Sequence, residues 1–155
     1  MSKATIERLY AGLAALDGET MAACYAEDAH FEDEAFTLNG RREIGGMWRM
    51  LCNGAKTKGL AHWKIETSQI TNNSAHWDAH YLFSATGRLV LNRIDATFEF
   101  NPAGLIVKQR DRFDFWRWSR QALGAAGYLL GWSGAFQNKV RAKAMGNLTS
   151  FLAKN

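Results

Sequence analysis

Residues 25–33 read Tyr25-Ala26-Glu27-Asp28-Ala29-His30-Phe31-Glu32-Asp33 and join two kinds of local structure. Upstream, Ile6, Leu9, Tyr10, Leu13 and Leu16 recur at helical spacing, which predicts a helix over about residues 5–16. Asp17-Gly18 breaks it, and a short second helix over 19–26 leads into the segment. From His30 to Phe36 apolar and polar residues alternate, as on a strand. Asp33 sits on that strand between Phe31 and Phe36. A carboxylate against an aromatic wall loses solvation, so its pKa rises toward the range useful for moving protons.

Downstream, Gly40-Arg41 opens a third helix over 42–52, with Ile44, Met47, Trp48 and Leu51 on one face, followed by a Gly- and Lys-rich loop over 53–59. The period then changes to two. Trp63, Ile65 and Thr67 share one strand face; Trp77, Ala79, Tyr81 and Phe83 share a second; Asn92, Ile94, Ala96, Phe98 and Phe100 share a third. Turn residues separate them, including Asn101-Pro102-Ala103-Gly104, which carries the one proline. A last strand is expected over 105–116. Helices followed by an antiparallel meander give an α+β class. One domain spanning 1–155 is expected, with its core at about 5–116 and a helical extension over 117–155. In that extension a small-residue stretch (Ala122 to Gly127) precedes an apolar stripe of Phe136, Val140, Ala144, Leu148, Phe151 and Leu152, suited to core packing or a dimer face.

The chain has 155 residues, of which 47% are hydrophobic and 12% aromatic, enough for one sizeable core and a lined cavity. Its net charge of +4 comes from basic residues scattered along the chain, which argues against nucleic-acid binding. Cys24 and Cys52 stand alone in helix-like context, as reduced thiols of a cytoplasmic protein would. The N-terminus has no signal-peptide core, and the longest uncharged run, 122–136, is Gly-rich and too short to span a bilayer, so no membrane partner is expected. His76-x-Asp78-x-His80 places three potential ligands on one strand face, but the histidines would stand about 13 Å apart at strand rise. No metal site is therefore expected. Nor does a Ser-His-Asp order, a phosphate loop or a Cys-x-x-Cys motif occur, and no cofactor is expected.

The helix, the Tyr25–Asp33 segment, the short loop and Gly40-Arg41 together resemble the opening of the ketosteroid-isomerase-like cone fold, also called the nuclear transport factor 2-like fold. The hairpin Ala96-Thr97-Phe98-Glu99-Phe100-Asn101-Pro102-Ala103-Gly104-Leu105-Ile106 is similar to that of SnoaL-like polyketide cyclases. Gln109-Arg110-Asp111-Arg112-Phe113-Asp114 resembles the Trp-Arg-Asp-x-Phe-Asp strand of limonene-epoxide-hydrolase-like members, with Gln109 in place of Trp. The resemblance runs from about Tyr10 to Trp116. It implies a cone-shaped, strongly curved, mainly antiparallel sheet wrapped on N-terminal helices around an apolar cavity.

By this resemblance Asp33 falls on the position of the isomerase general base, followed by Glu34 where those enzymes have proline. Tyr10 lies near the oxyanion tyrosine if one residue is gapped in the helix–helix turn. Asp95 misses the second oxyanion position by one residue, which Ala96 takes, and should point outward. Asp111 matches an acid/base aspartate of the cyclase and hydrolase branches. The expected function is a cofactor-free isomerase, cyclase or hydrolase acting on a small, mostly apolar ligand. Asp33, Asp111 and Tyr10 are its candidate catalytic groups. Trp48, Trp77, Tyr81, Asn92, Phe98 and Phe113 are its candidate ligand-binding residues. A non-catalytic ligand-binding or interaction module on the same fold is the alternative, and a homodimer is the expected assembly.

Overall fold

The computed structural model describes residues 2–155. Helix α1 (Ser2–Ala14) buries Ile6, Leu9, Tyr10 and Leu13, the face that the helical spacing predicts. Fully burying such side chains contributes roughly 1.5–3 kcal/mol each, which fixes the helix against the sheet. Leu16 turns the chain with φ of 57°, and Asp17 caps the short α2 (Gly18–Ala22), accepting from the Thr20 backbone N–H at 3.1 Å.

Strand β1 (Tyr25–Glu32) begins at Tyr25, not at His30, because Tyr25 and Ala26 face the core from a strand and not from the second helix. It ends one residue before Asp33. Asp33 instead heads a turn, its backbone N–H donating to the Phe36 carbonyl at 2.9 Å. That turn returns the chain as β2 (Thr37–Asn39), a strand the alternation does not separate. Helix α3 (Arg41–Lys58) then runs through the segment expected as a loop. Its last turns are polar because they face solvent, and the glycine among them, Gly54, has open space around it.

After a single 3-10 turn come β3 (Lys64–Ser68), β4 (Ser74–Phe83), β5 (Arg88–Phe100) and β6 (Ile106–Arg112). The six strands form one curved sheet in the order β2-β1-β6-β5-β4-β3. The sheet stays open, with β2 and β3 at its edges. Every pairing is antiparallel except β1 with β6. Ala75, Trp77 and Ala79 of β4 and Asn92, Ile94, Ala96 and Phe98 of β5 turn inward onto the helices, as their period of two requires.

The last strand stops at Arg112, since Asp114 caps α4 (Phe115–Leu123) by accepting from the Arg117 N–H at 3.0 Å. Helices α5 (Ala125–Leu130) and α6 (Gly134–Lys154) follow. Part of the stripe on α6 packs on the core: Leu148 is buried, Ala144 and Leu152 lie against it, and a Cβ at Gly46 of α3 would run into the Leu152 side chain. No helix among the described residues is long and apolar enough to cross a membrane.

Candidate functional site

Two carboxyl groups meet inside the sheet through its one parallel pairing. β1 and β6 run in register with Phe31 beside Gln109 and Glu32 beside Arg110. Asp33 and Asp111 each follow the last of these pairs, and the charge of Asp33 acts on Asp111. No local pattern announces this, because Asp33 lies in the turn after β1 and Asp111 on β6, far apart in sequence.

Asp33 keeps part of its surface open but is enclosed by protein on most sides. Its Oδ1 accepts the backbone N–H groups of Ala35 and Phe36, both at 2.7 Å. Desolvation outweighs those two hydrogen bonds and pushes its pKa up to about 6. Asp111 is 2% exposed. Desolvation is again the largest cause, the charge of Asp33 adds to it, and the pKa rises to about 8 despite a hydrogen bond from Gln109. The first proton to leave the pair therefore leaves Asp33. Near neutral pH the site holds one carboxylate and one carboxylic acid, the division of labour by environment that acid/base sites use.

A directed chain of hydrogen bonds orients Asp111. The Trp48 indole N–H donates to the Tyr25 hydroxyl at 3.0 Å, Tyr25 donates to Gln109 Oε1 at 2.5 Å, and Gln109 Nε2 donates to Asp111 Oδ1 at 2.8 Å. Indole nitrogen can only donate, so it fixes which way the Tyr25 proton points, and Tyr25 in turn fixes the orientation of the Gln109 amide. The remaining Asp111 oxygen is left to carry the proton of the neutral acid.

A Tyr25→Phe substitution strands the Trp48 N–H and the Gln109 carbonyl together. It is expected to cost about 3 kcal/mol in urea denaturation near pH 6, since each buried unsatisfied group costs roughly 1–3 kcal/mol. A loss much below about 1 kcal/mol would show that the chain does not hold the site.

Several of the aromatic candidates pack on one another in the core. Tyr10 packs its ring 5.5 Å from Trp77 and 6.5 Å from Phe98, centroid to centroid. Its hydroxyl is buried without a hydrogen-bond partner among the described residues, as is the Trp77 indole N–H. Burial, then the charge of Asp111, holds the Tyr10 hydroxyl firmly protonated. Trp48 stacks edge-on to Phe31 and lies 6.4 Å from Trp77. Asn92 is buried on the inward face of β5. Phe113 is partly buried against the core just beyond β6.

Tyr81 of β4 is partly buried against the core. Its hydroxyl accepts the Trp118 indole N–H at 2.7 Å, and its pKa is pushed up to about 12 by burial, with the Asp33 charge adding to the effect. Asp95 points outward, as its register predicts, and pairs with His76 at 2.8 Å. His76 also meets Asp78 at 2.9 Å, and His80 meets Glu66 at 3.0 Å. Among the described residues no group of three or more potential ligands could hold a metal ion.

Sequence reasoning missed Tyr25, the role of Gln109, and the contacts that the C-terminal helices make with Glu34 and Tyr81. Glu34 accepts from Arg110 Nη2 at 3.0 Å through its carboxylate, and its backbone carbonyl accepts from Arg141 Nε at 2.8 Å, tying α6 to the turn that carries Asp33. Trp118 of α4 roofs Tyr81 in the same way. Two surface recesses have volumes of about 650 and 420 Å³: one between α2 and α3, lined by Arg41, Arg42 and Arg49, the other over β1, β5 and β6, lined by His30, Glu99 and Lys108 and reaching Phe98 and Gln109.

This arrangement of helices on a curved sheet recurs in solved structures. An LEH-like epoxide hydrolase of M. tuberculosis matches with a TM-score of 0.61 at 16% identity, over 83% of this chain and 93% of that one. A protein of Silicibacter sp. tm1040, provisionally described as a polyketide cyclase, matches with a TM-score of 0.58 at 18% identity, over 76% of this chain and 91% of that one. A protein of Silicibacter pomeroyi DSS-3 described as having a cystatin-like fold matches at 17% identity with a TM-score of 0.56, over 89% of this chain and 92% of that one. At these identities the likeness is one of fold. No curated protein matches the sequence significantly. A sequence model of the SnoaL-like domain, however, matches residues 6–109, from the first turns of α1 to the Gln109 that orients Asp111, and the chain belongs to that family.

Proposed function

We propose that the protein is a cofactor-independent acid/base enzyme of the isomerase, cyclase or hydrolase type, acting on a small, mostly apolar carbonyl, ring or epoxide compound. The observation that carries this reading is the pairing of Asp33 and Asp111 in one interior, with environments that keep the first charged and the second protonated near pH 7. Asp33 is the base. Two backbone N–H groups hold its Oδ1, which leaves Oδ2 to take a proton. Asp111 is the acid, donating to an oxygen that gains negative charge, with the unpartnered Tyr10 hydroxyl as a second donor. Trp48, Trp77, Phe98 and Phe113 supply apolar contact, while Asn92 and Tyr81 orient polar parts of the ligand.

One observation favours the second reading, a non-catalytic binding module: Tyr10, Trp48, Trp77 and Phe98 pack closely on one another, which fills the space a substrate would need. Native mass spectrometry of protein purified from cells separates the two. A bound carbonyl- or epoxide-bearing compound that the protein then converts supports the enzyme. A compound that is bound but never converted, together with carbon-13 titrations placing both aspartates near the ordinary value of about 4, would sink it.

A further inference from the structure

Helix α5 is built inside out. Its glycine edge faces the protein: a Cβ at Gly127 would run into the Ser119 carbonyl oxygen, and one at Gly131, which caps the helix, into Ser119 Oγ. Its large apolar residues face solvent. Leu129 is 71% exposed and Trp132 73%, and Tyr128, Leu130 and Trp116 are exposed beside them. These are five of the eight large hydrophobic residues that are exposed among the described residues, gathered into positions 116–132. Trp132 donates its indole N–H to the Leu129 carbonyl at 3.0 Å, so the polar edge of the ring is satisfied and its apolar surface is presented outward. A monomer in water gains nothing from such a tip, and patches of this kind mark contact surfaces.

The charge around the tip identifies the contact. Arg120 lies 4.2 Å over the Trp116 ring and 5.6 Å over Tyr128. Arg88 packs against Gly124, and Arg117 is exposed on α4. None of these three arginines has an ion-pair partner among the described residues. The 41 residues from Phe115 onward hold six basic residues and no acidic one, so the net positive charge of the chain belongs to this end of it.

We propose that the α4–α5 tip docks peripherally on an anionic lipid bilayer. Leu129 and Leu130 enter the acyl boundary, Trp116, Tyr128 and Trp132 sit at headgroup level, and Arg88, Arg117 and Arg120 face the lipid phosphates. Charge disfavours a second copy as the occupant. A two-fold contact would bring both sets of arginines together, with no carboxylate from residues 115–155 to offset them.

Co-sedimentation of the full chain with phosphatidylcholine vesicles, with and without phosphatidylglycerol, tests the proposal. Binding is expected to the anionic vesicles and to fall by on the order of tenfold on neutral ones, in the Arg117→Glu variant, and at high salt. The double variant Leu129→Ser/Trp132→Ser should lose vesicle binding while its circular dichroism and thermal midpoint stay those of the parent, since both positions are exposed. Equal binding to both vesicle types, or undiminished binding by the double variant, overturns the proposal. So does a dimer that the double variant dissolves while the parent ignores vesicles, which would assign the tip to a second copy.

Discussion

An Asp111→Asn variant is expected to be more stable than the parent at pH 8 by roughly 3–5 kcal/mol, and nearly equal to it at about pH 4. Asp111 is deeply buried and its pKa is raised to about 8, so the folded state binds its proton more tightly than the unfolded chain does. Between the ordinary carboxylate value and the raised one, the unfolded state has released a proton that the folded state still holds. Stability from this group is thus fully present in acid, falls as pH rises toward 8, and is flat beyond. The slope for one such group is about 1.4 kcal/mol per pH unit. Asparagine keeps the acceptor for Gln109 Nε2 and carries no titrating proton. The difference between variant and parent in urea midpoints across this range isolates the residue, because His76 and the other titrating groups cancel. A difference that does not change with pH would mean that Asp111 is not held neutral.

Much of what makes that prediction was legible in the sequence. The period-two pattern puts Ala96 and Phe98 on one strand face, and the structure buries both, with Gln109 and Asp111 beside them on β6. The same arithmetic turns Asp95 outward, where it meets His76. What could not be read is long-range. Tyr25 looks like the end of an amphipathic helix, and only the pairing of β1 with β6 reveals it as the donor to Gln109. Glu34 reads as a departure from the isomerase pattern. Its use appears only once α6, more than a hundred residues later, brings Gln137 and Arg141 to it. The extension of α3 past Cys52 was hidden because a solvent-facing helix end with glycine and lysine has the composition of a loop. The small-residue stretch from Ala122 to Gly127 does not announce the apolar tip at 128–132, whose outward orientation depends on glycines that pack on Ser119.

Replacing Asp33 by Asn is expected to reduce turnover by about 10²–10⁴-fold, the usual contribution of a positioned general base. Ligand affinity should change little. Asparagine can keep the Oδ1 contacts to Ala35 and Phe36, so the turn that presents the residue is preserved. The substitution also carries a signature that needs no substrate. The Asp33 charge is one of the causes that raise Asp111, so its removal should move the Asp111 titration below about 8 in carbon-13 spectra. The two readouts answer different questions. A shifted Asp111 titration with lost turnover makes the carboxyl pair a working acid/base couple. A shifted titration with turnover intact would leave the pair coupled but put the chemistry elsewhere. An unshifted titration would mean that the β1–β6 register does not bring the two carboxyl groups together, and the proposed division into base and acid would fall with it.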